Sequence, residues 1–362
     1  MSQTVFILGA GASVHAGAPL MANFLNEADK LRRQRGADDF KKDFDFVFDA
    51  ISALQPVHSK SALDLDNIES VFAAFEMGRL INKFPGMTSD DIKLLLVSIR
   101  RLIYKTLEKT ITFPVKHRAG GNYLHPTELY DMFVKMIMEL NNGRQENKCS
   151  IITFNYDLAL DYALHYHSIP ANYCLSETTG RGNASLMKLH GSLNWASCLK
   201  CGEIIPWHFG DFYKKFRHNL FDQKSVCIDL PSNLSKSGLK HCERDVGSEP
   251  FIIPPTWNKT EYHQGLSKVW GQAALELSDA ENIFIIGYSL SKSDLFFRYL
   301  FALGSLGKTR IKNFFVFDPD RQNIVNTRFE ELIGPGLKPK FEFIKEEFGS
   351  AIQIIRKTLE LD

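Results

Sequence analysis

Val5-Phe6-Ile7-Leu8-Gly9-Ala10-Gly11-Ala12-Ser13 is the stretch on which the fold assignment turns. Four consecutive apolar residues that stop at a glycine fit a strand buried on both faces of a parallel sheet, since a strand with one wet face would alternate. The glycines then permit a tight strand-to-helix turn and let backbone amides approach a diphosphate at a helix N-terminus. Gly17-Ala18-Pro19 follows shortly after. The same signature recurs in Ser150-Ile151-Ile152-Thr153-Phe154, in Ile283-Phe284-Ile285-Ile286 before Gly287, and in Phe314-Phe315-Val316-Phe317 before Asp318. Phe341-Glu342-Phe343-Ile344 reads as a last, edge strand. Strands of this kind alternating with helices predict an α/β fold with a Rossmann-like parallel sheet.

The stretch between the first two strands is too long for one crossover and reads as helices. Phe44, Val47, Phe48, Ile51 and Leu54 keep helical spacing, as do Ile68, Val71, Phe72 and Phe75. Ile92, Leu95, Leu96, Ile99 and Leu102 repeat it, and so do Tyr130, Phe133, Val134 and Ile137. We therefore expect residues 1–20, 148–194 and 251–362 to build the sheet domain, with a helical insertion over 21–147. Residues 195–250, rich in Gly, Ser, Asn, His and Cys with little periodicity, are expected to form a small irregular module of zinc-ribbon-like character.

Composition narrows the class. Of 362 residues, 44% are hydrophobic and 23% charged, which is ordinary for a globular chain that folds without disulfides or metals. Forty-three basic against 42 acidic residues leave a formal charge of +1, which argues against a protein built to coat nucleic acid or anionic membrane. No apolar run reaches the roughly 18 residues of a membrane span, and the N-terminus lacks a secretory pattern. Six unevenly spaced cysteines do not make a secreted disulfide framework, so a reducing cytoplasm is expected.

The glycine turn alone is a weak signal. A dehydrogenase fingerprint places a third glycine three residues after the second, where this chain has Val14, and an acidic strand end about 20 residues on. Both departures disfavour hydride transfer. Taken with Thr153-Phe154-Asn155-Tyr156-Asp157, Leu189-His190-Gly191-Ser192 and Gly287-Tyr288-Ser289-Leu290, however, the turn resembles the sirtuin family in order and spacing. The wording Leu189-His190-Gly191-Ser192-Leu193-Asn194-Trp195 and Ile253-Pro254-Pro255-Thr256-Trp257 is similar to the bacterial sirtuin-like branch of antiphage defence, whose members cleave NAD+.

The resemblance implies roles residue by residue. Gly9, Ala10, Gly11 and Ser13 would cradle the NAD+ diphosphate. Asn155 would sit at the nicotinamide ribose, Asp157 would bind the nicotinamide amide, and His190 would contact the ribose hydroxyls as general base. Gly287 and Ser289 would line the adenosine side, with Asp318 near the adenine ribose. These residue types suit the chemistry. Nicotinamide in NAD+ is already a cationic leaving group, so its bond to ribose can break through an oxocarbenium-like transition state. Such a site needs ribose positioning, a base near neutral pH and an uncharged group to place water, which histidine and asparagine supply.

The family's Phe-Gly-Glu segment, which lines the peptide groove of the deacylases, is replaced here by Phe251-Ile252-Ile253-Pro254-Pro255. Its Asp-Phe-Arg is replaced by Met21-Ala22-Asn23. Hydrolysis of NAD+ to nicotinamide and ADP-ribose is therefore favoured. Lysine deacylation and a non-catalytic NAD-sensing subunit stand as alternatives. Cys198-Leu-Lys-Cys201 falls where sirtuins hold structural zinc, and Cys227 and Cys242 (or His241) are the remaining candidates. A loop without metal is the competing reading. The chain ends soon after the last expected elements, so control is expected from outside: self-assembly, or a complex with a HerA-type hexameric ATPase.

Overall fold

The apolar runs do pair as a sheet. In the computed structural model, which describes all residues except 1–2, 119–120, 142–148, 177–183, 254–259, 292–293, 308 and 362, seven strands lie side by side. They are β1 (Gln3–Leu8), β2 (Cys149–Thr153), β3 (Ala171–Asn172), β4 (Ala184–Lys188), β5 (Ala280–Ile286), β6 (Asn313–Phe317) and β7 (Phe341–Ile344). The order across the sheet is β7-β6-β5-β1-β2-β4-β3 and every pairing is parallel. Val5, Phe6, Ile7 and Leu8 have no exposed surface, as a central strand covered on both faces requires.

Two strands were not signalled by hydrophobic runs. β4 is Ala-Ser-Leu-Met-Lys, a sequence with no β-branched residue that ends on a buried lysine, and β3 is two residues long. Neighbouring phenylalanines show the two-layer covering. Phe6 packs edge-on against Phe133 of α5 (Glu128–Asn141), and Phe133 meets Phe348 of α11 (Phe348–Thr358). Phe314 turns the other way, onto Phe301 of α9 (Leu295–Gly304), which packs beside α8 (Thr260–Asp279).

The order also fixes where a ligand can sit. From β1 the chain builds outward through β2, β3 and β4, then returns to the other side of β1 for β5, β6 and β7. The reversal falls between β1 and β5, and open α/β sheets bind ligands beyond the carboxyl ends of the strands at such a point.

The segment after β1 holds α1 (Phe24–Arg32), α2 (Lys41–Leu54), α3 (Ile68–Leu80) and α4 (Ser89–Thr110). Thr88 caps α4 through a reciprocal capping box with Asp91. Phe113–Arg118 and Gly121–Leu124, within the stretch read as helical, instead form an antiparallel pair with Val115 opposite Leu124. Pro114 breaks any helix there, and Phe113 packs edge-on against Tyr162 of α6 (Ala159–Tyr166). No helix among the described residues is long and apolar enough to cross a membrane.

Candidate functional site

The two glycine turns at the switch point interlock backbone to backbone. A Cβ on Gly9 would stand 2.5 Å from the Gly287 carbonyl, and one on Gly287 would stand 2.4 Å from the Ala12 nitrogen. Gly287 also has φ of +61°, the left-handed region that glycine occupies without strain. The Gly11 N–H donates to the Gly287 carbonyl at 2.9 Å, so that amide is committed to the turn contact. Ala10 and Gly11 nonetheless line the cleft that opens beside them.

After β2, Asn155 is anchored from two sides. Its Nδ2 donates to the Gly9 carbonyl at 2.8 Å and to Ser13 Oγ at 3.1 Å. That use of its hydrogens leaves Oδ1 as the acceptor it can turn to the cleft. Ser13 is wholly buried and donates to Asp157 Oδ2 at 2.8 Å while sharing a hydrogen bond of 2.7 Å with the Tyr130 hydroxyl. Asp157 Oδ1 accepts the Ala159 N–H at 2.9 Å. Burial pushes the Asp157 carboxyl above the usual carboxylate range, opposed by the nearby Lys188 ammonium and these hydrogen bonds. Ser13 and Asp157 thus sit beneath the cleft wall and hold Asn155.

His190 follows β4 at a turn made possible by Gly191, whose φ is +85° and whose Cβ would meet the Phe251 carbonyl at 2.3 Å. The His190 ring lies edge-on to Phe154 at 5.1 Å, and its Nε2 is 3.7 Å from Asp294 Oδ1. Both side chains are nearly buried.

These pieces enclose one cleft of about 650 Å³, within the range of about 300–1,000 Å³ usual for small-molecule sites. Of the residues the sequence singled out, Ala10, Gly11, Asn155, His190, Gly287, Ser289 and Asp318 line it. Gly9, Ser13 and Asp157 support it from behind. Asp318 closes the β6 end, where burial raises its carboxyl and the Asp320 N–H holds it at 3.0 Å. His15 also lines the cleft, and burial lowers its imidazole to about 4, so it is neutral at physiological pH. Asn67 and Glu69 at the start of α3, Asp294 at the start of α9, and Arg328 were not signalled by any motif, because separate loops bring them here. Arg328 donates to the Ser289 carbonyl at 2.9 Å.

No protein-family model and no curated protein matches the chain. Among solved structures it is similar to a Sir2 homolog–NAD complex, at 15% identity over 99% of this chain and 91% of that one, with a TM-score of 0.38. A structure from work on the mechanism and regulation of Sir2 enzymes gives 14% identity, 100% and 94% coverage, and a TM-score of 0.42. A Sir2 enzyme bound to a propionylated peptide gives 11%, 99%, 94% and 0.38.

A second cluster lies in the irregular module. Cys198, Cys201, His241 and Cys242 bring their ligand atoms within 4.8 Å of one another. Cys201 Sγ is 3.3 Å from His241 Nδ1 and 3.7 Å from Cys242 Sγ. A tetrahedron built on zinc–sulfur bonds of about 2.3 Å has edges of roughly 3.8 Å, so the spacing fits. The Cys201 amide, the His241 ring and the Lys200 amide lower the Cys198 thiol to about 6, a thiolate-favouring setting. Cys227 does not join: it follows Ser225–Val226, which pair with Phe113–Pro114, and its thiol donates to the Lys109 carbonyl instead. His241 stands in the place expected of Cys227. Pro254, Pro255, Thr256 and Trp257 lie outside the described residues.

Proposed function

We propose that the chain is a sirtuin-like NAD+ glycohydrolase that releases nicotinamide and ADP-ribose. One observation carries this reading: Asn155 and His190, from motifs 35 positions apart, line the same cleft at the sheet's switch point, beside the paired glycine turns. In this reading the dinucleotide lies across the carboxyl ends of β6, β5, β1 and β2, with Asp318 at the adenine ribose and Asn155 at the nicotinamide ribose. The carbon–nitrogen bond breaks with its electron pair going to the pyridinium ring. Water held by Asn155 Oδ1 attacks the sugar carbon, and His190 takes its proton.

Water is favoured over an acyl-lysine because the segment at 251–253 offers little backbone to an added peptide strand. The Phe251 carbonyl accepts from Ser192 and its N–H donates to Trp195. The Ile253 N–H donates to the His190 carbonyl, and its own carbonyl accepts from the Tyr156 hydroxyl at 2.6 Å. The next two residues are prolines, which have no N–H. In the same reading, zinc binds Cys198, Cys201, His241 and Cys242 as a structural ion.

Control comes from self-assembly or from a HerA-type ATPase, and the setting is bacterial antiphage defence in the cytoplasm. The decisive experiment incubates purified protein with NAD+, alone and with the ATPase, and follows nicotinamide release. Asn155→Ala and His190→Ala should each lower turnover by about 10²-fold or more. Release that requires an acetylated peptide would replace hydrolysis with deacylation. A monomeric chain that is fully active alone would sink the control by assembly.

A further inference from the structure

Asp294 is an acidic residue at the N-cap of α9 that does not cap the helix with its side chain. Aspartate is favoured at that position because its carboxylate accepts the unpaired N–H groups of the first turn. Here the carboxylate turns to the cleft instead. Oδ1 lies 3.7 Å from His190 Nε2, and Oδ2 accepts the Tyr288 hydroxyl at 3.1 Å. Tyr288 is itself held, its ring stacked on Phe154 at 4.3 Å, and Phe154 in turn lies edge-on to His190. The carboxylate is therefore fixed from behind and aimed at the imidazole in a nearly buried setting, where a charge is screened little.

We propose that Asp294 is the positioning residue of a His190–Asp294 pair, stabilising the imidazolium formed when His190 accepts the proton of the attacking water. This rests on the NAD-cleaving reading for its role in turnover, though not for the pairing itself. A general base becomes a cation in the step it catalyses, and a fixed carboxylate beside it lowers the energy of that cation. Among the described residues, Tyr156 lies at a ring separation of 6.1 Å from His190, and Tyr288 and Glu69 line the same cleft. Both tyrosines are held neutral by burial, with Asp294 and Glu69 adding to the effect. Lys188 is two residues away in sequence, but its ammonium is directed to Asp161 and the Asp157 carbonyl. Among the described residues, Asp294 is the charged group seen against the ring, at 3.7 Å.

The test titrates His190 by NMR in wild type, Asp294→Asn and Asp294→Glu, identifying its resonance by its absence in His190→Gln. An opposite charge at such a distance raises a histidine by about 1–3 units, so Asp294→Asn should lower the His190 midpoint by at least about one unit. Asp294→Glu should return most of it. In nicotinamide release, Asp294→Asn should lower kcat by about 10²-fold with little change in KM. The rising limb of its pH profile should move to lower pH, since a weaker base is unprotonated at lower pH. Asn keeps an acceptor for Tyr288. Asp294→Ser, with a good N-cap residue, supplies a second uncharged variant should Asn fail to fold. An unmoved His190 midpoint in the uncharged variants overturns the pair, whatever happens to turnover. A moved midpoint in a protein that never releases nicotinamide leaves the pair standing and overturns the NAD-cleaving reading.

Discussion

Replacing Lys188 by methionine should be among the most damaging single changes outside the cleft. The lysine side chain is 1% exposed and its partner Asp161 2%. Its ammonium donates to Asp161 Oδ2 at 2.8 Å, to the Asp157 carbonyl at 2.6 Å and, at 3.4 Å, to the Tyr156 carbonyl. From Asp161 the bonding continues to the Tyr173 hydroxyl, then to Asn194 and Ser192. One buried network therefore ties the turn that carries Asn155 to the turn that carries His190. Removing one member of a buried ion pair costs about 3–5 kcal/mol because the other charge is left without compensation. Methionine fills most of the volume and Tyr173 still donates to Asp161, so the lower end, about 3 kcal/mol, is expected. Urea unfolding followed by tryptophan fluorescence measures it. Adding Asp161→Asn removes the stranded charge, so the double variant should recover more than half of the loss. A cost below about 1 kcal/mol for the single variant, or a double variant less stable than the single one, would refute this account of the network.

Three further outcomes follow from local geometry. Gly287→Ala combines a left-handed φ with a backbone contact of 2.4 Å, whereas Gly36→Ala has a similar φ of +88° and open space around it. The first should cost more than about 2 kcal/mol and the second about 1, as compared by chemical denaturation. His15, lowered to about 4 by burial, contributes stability that is fully present above the unfolded value near 6.5. That contribution is lost as pH falls toward 4, up to about 3 kcal/mol in all; His15→Gln should flatten stability over this window in denaturation curves taken at several pH values. Cys201→Ser should abolish stoichiometric zinc in elemental analysis, while Cys227→Ser leaves it unchanged.

The sheet was legible because both-face burial leaves an unbroken apolar run, which β1, β5 and β6 carry and β2 carries in shorter form, while the alternation in β7 marks an edge strand. β4 escaped notice for the reason that makes it interesting: its last residue is a lysine that replaces apolar packing with a buried polar network. Motif order singled out Asn155 and His190, which sit at turns directly after strands of a parallel sheet and both line the cleft. It could not separate residues that touch the cleft from those behind its wall. Ser13 and Asp157 belong to the same motifs as their neighbours, yet their side chains are committed to each other and to Tyr130. In the Cys/His cluster, spacing brought Cys198, Cys201 and Cys242 together but not Cys227, since the pairing of Ser225–Val226 with Phe113–Pro114 just before it is invisible to local pattern.

The helices after β1 are more than covering. The Asn67 side chain accepts the Glu69 N–H at 2.8 Å, which fixes the first turn of α3 and points the Glu69 carboxylate at the cleft. That carboxylate takes the Ser291 hydroxyl at 2.9 Å, three positions before Asp294. The first turn of α3 is thus fastened to Ser291, whose carbonyl accepts the Asp294 N–H at 3.0 Å. A shift of α3 against the sheet by more than a hydrogen-bond length would release Ser291 and, with it, a support of Asp294. A change at the surface of these helices has a short physical route to the His190 ring, and a partner acting there would reach it without entering the cleft.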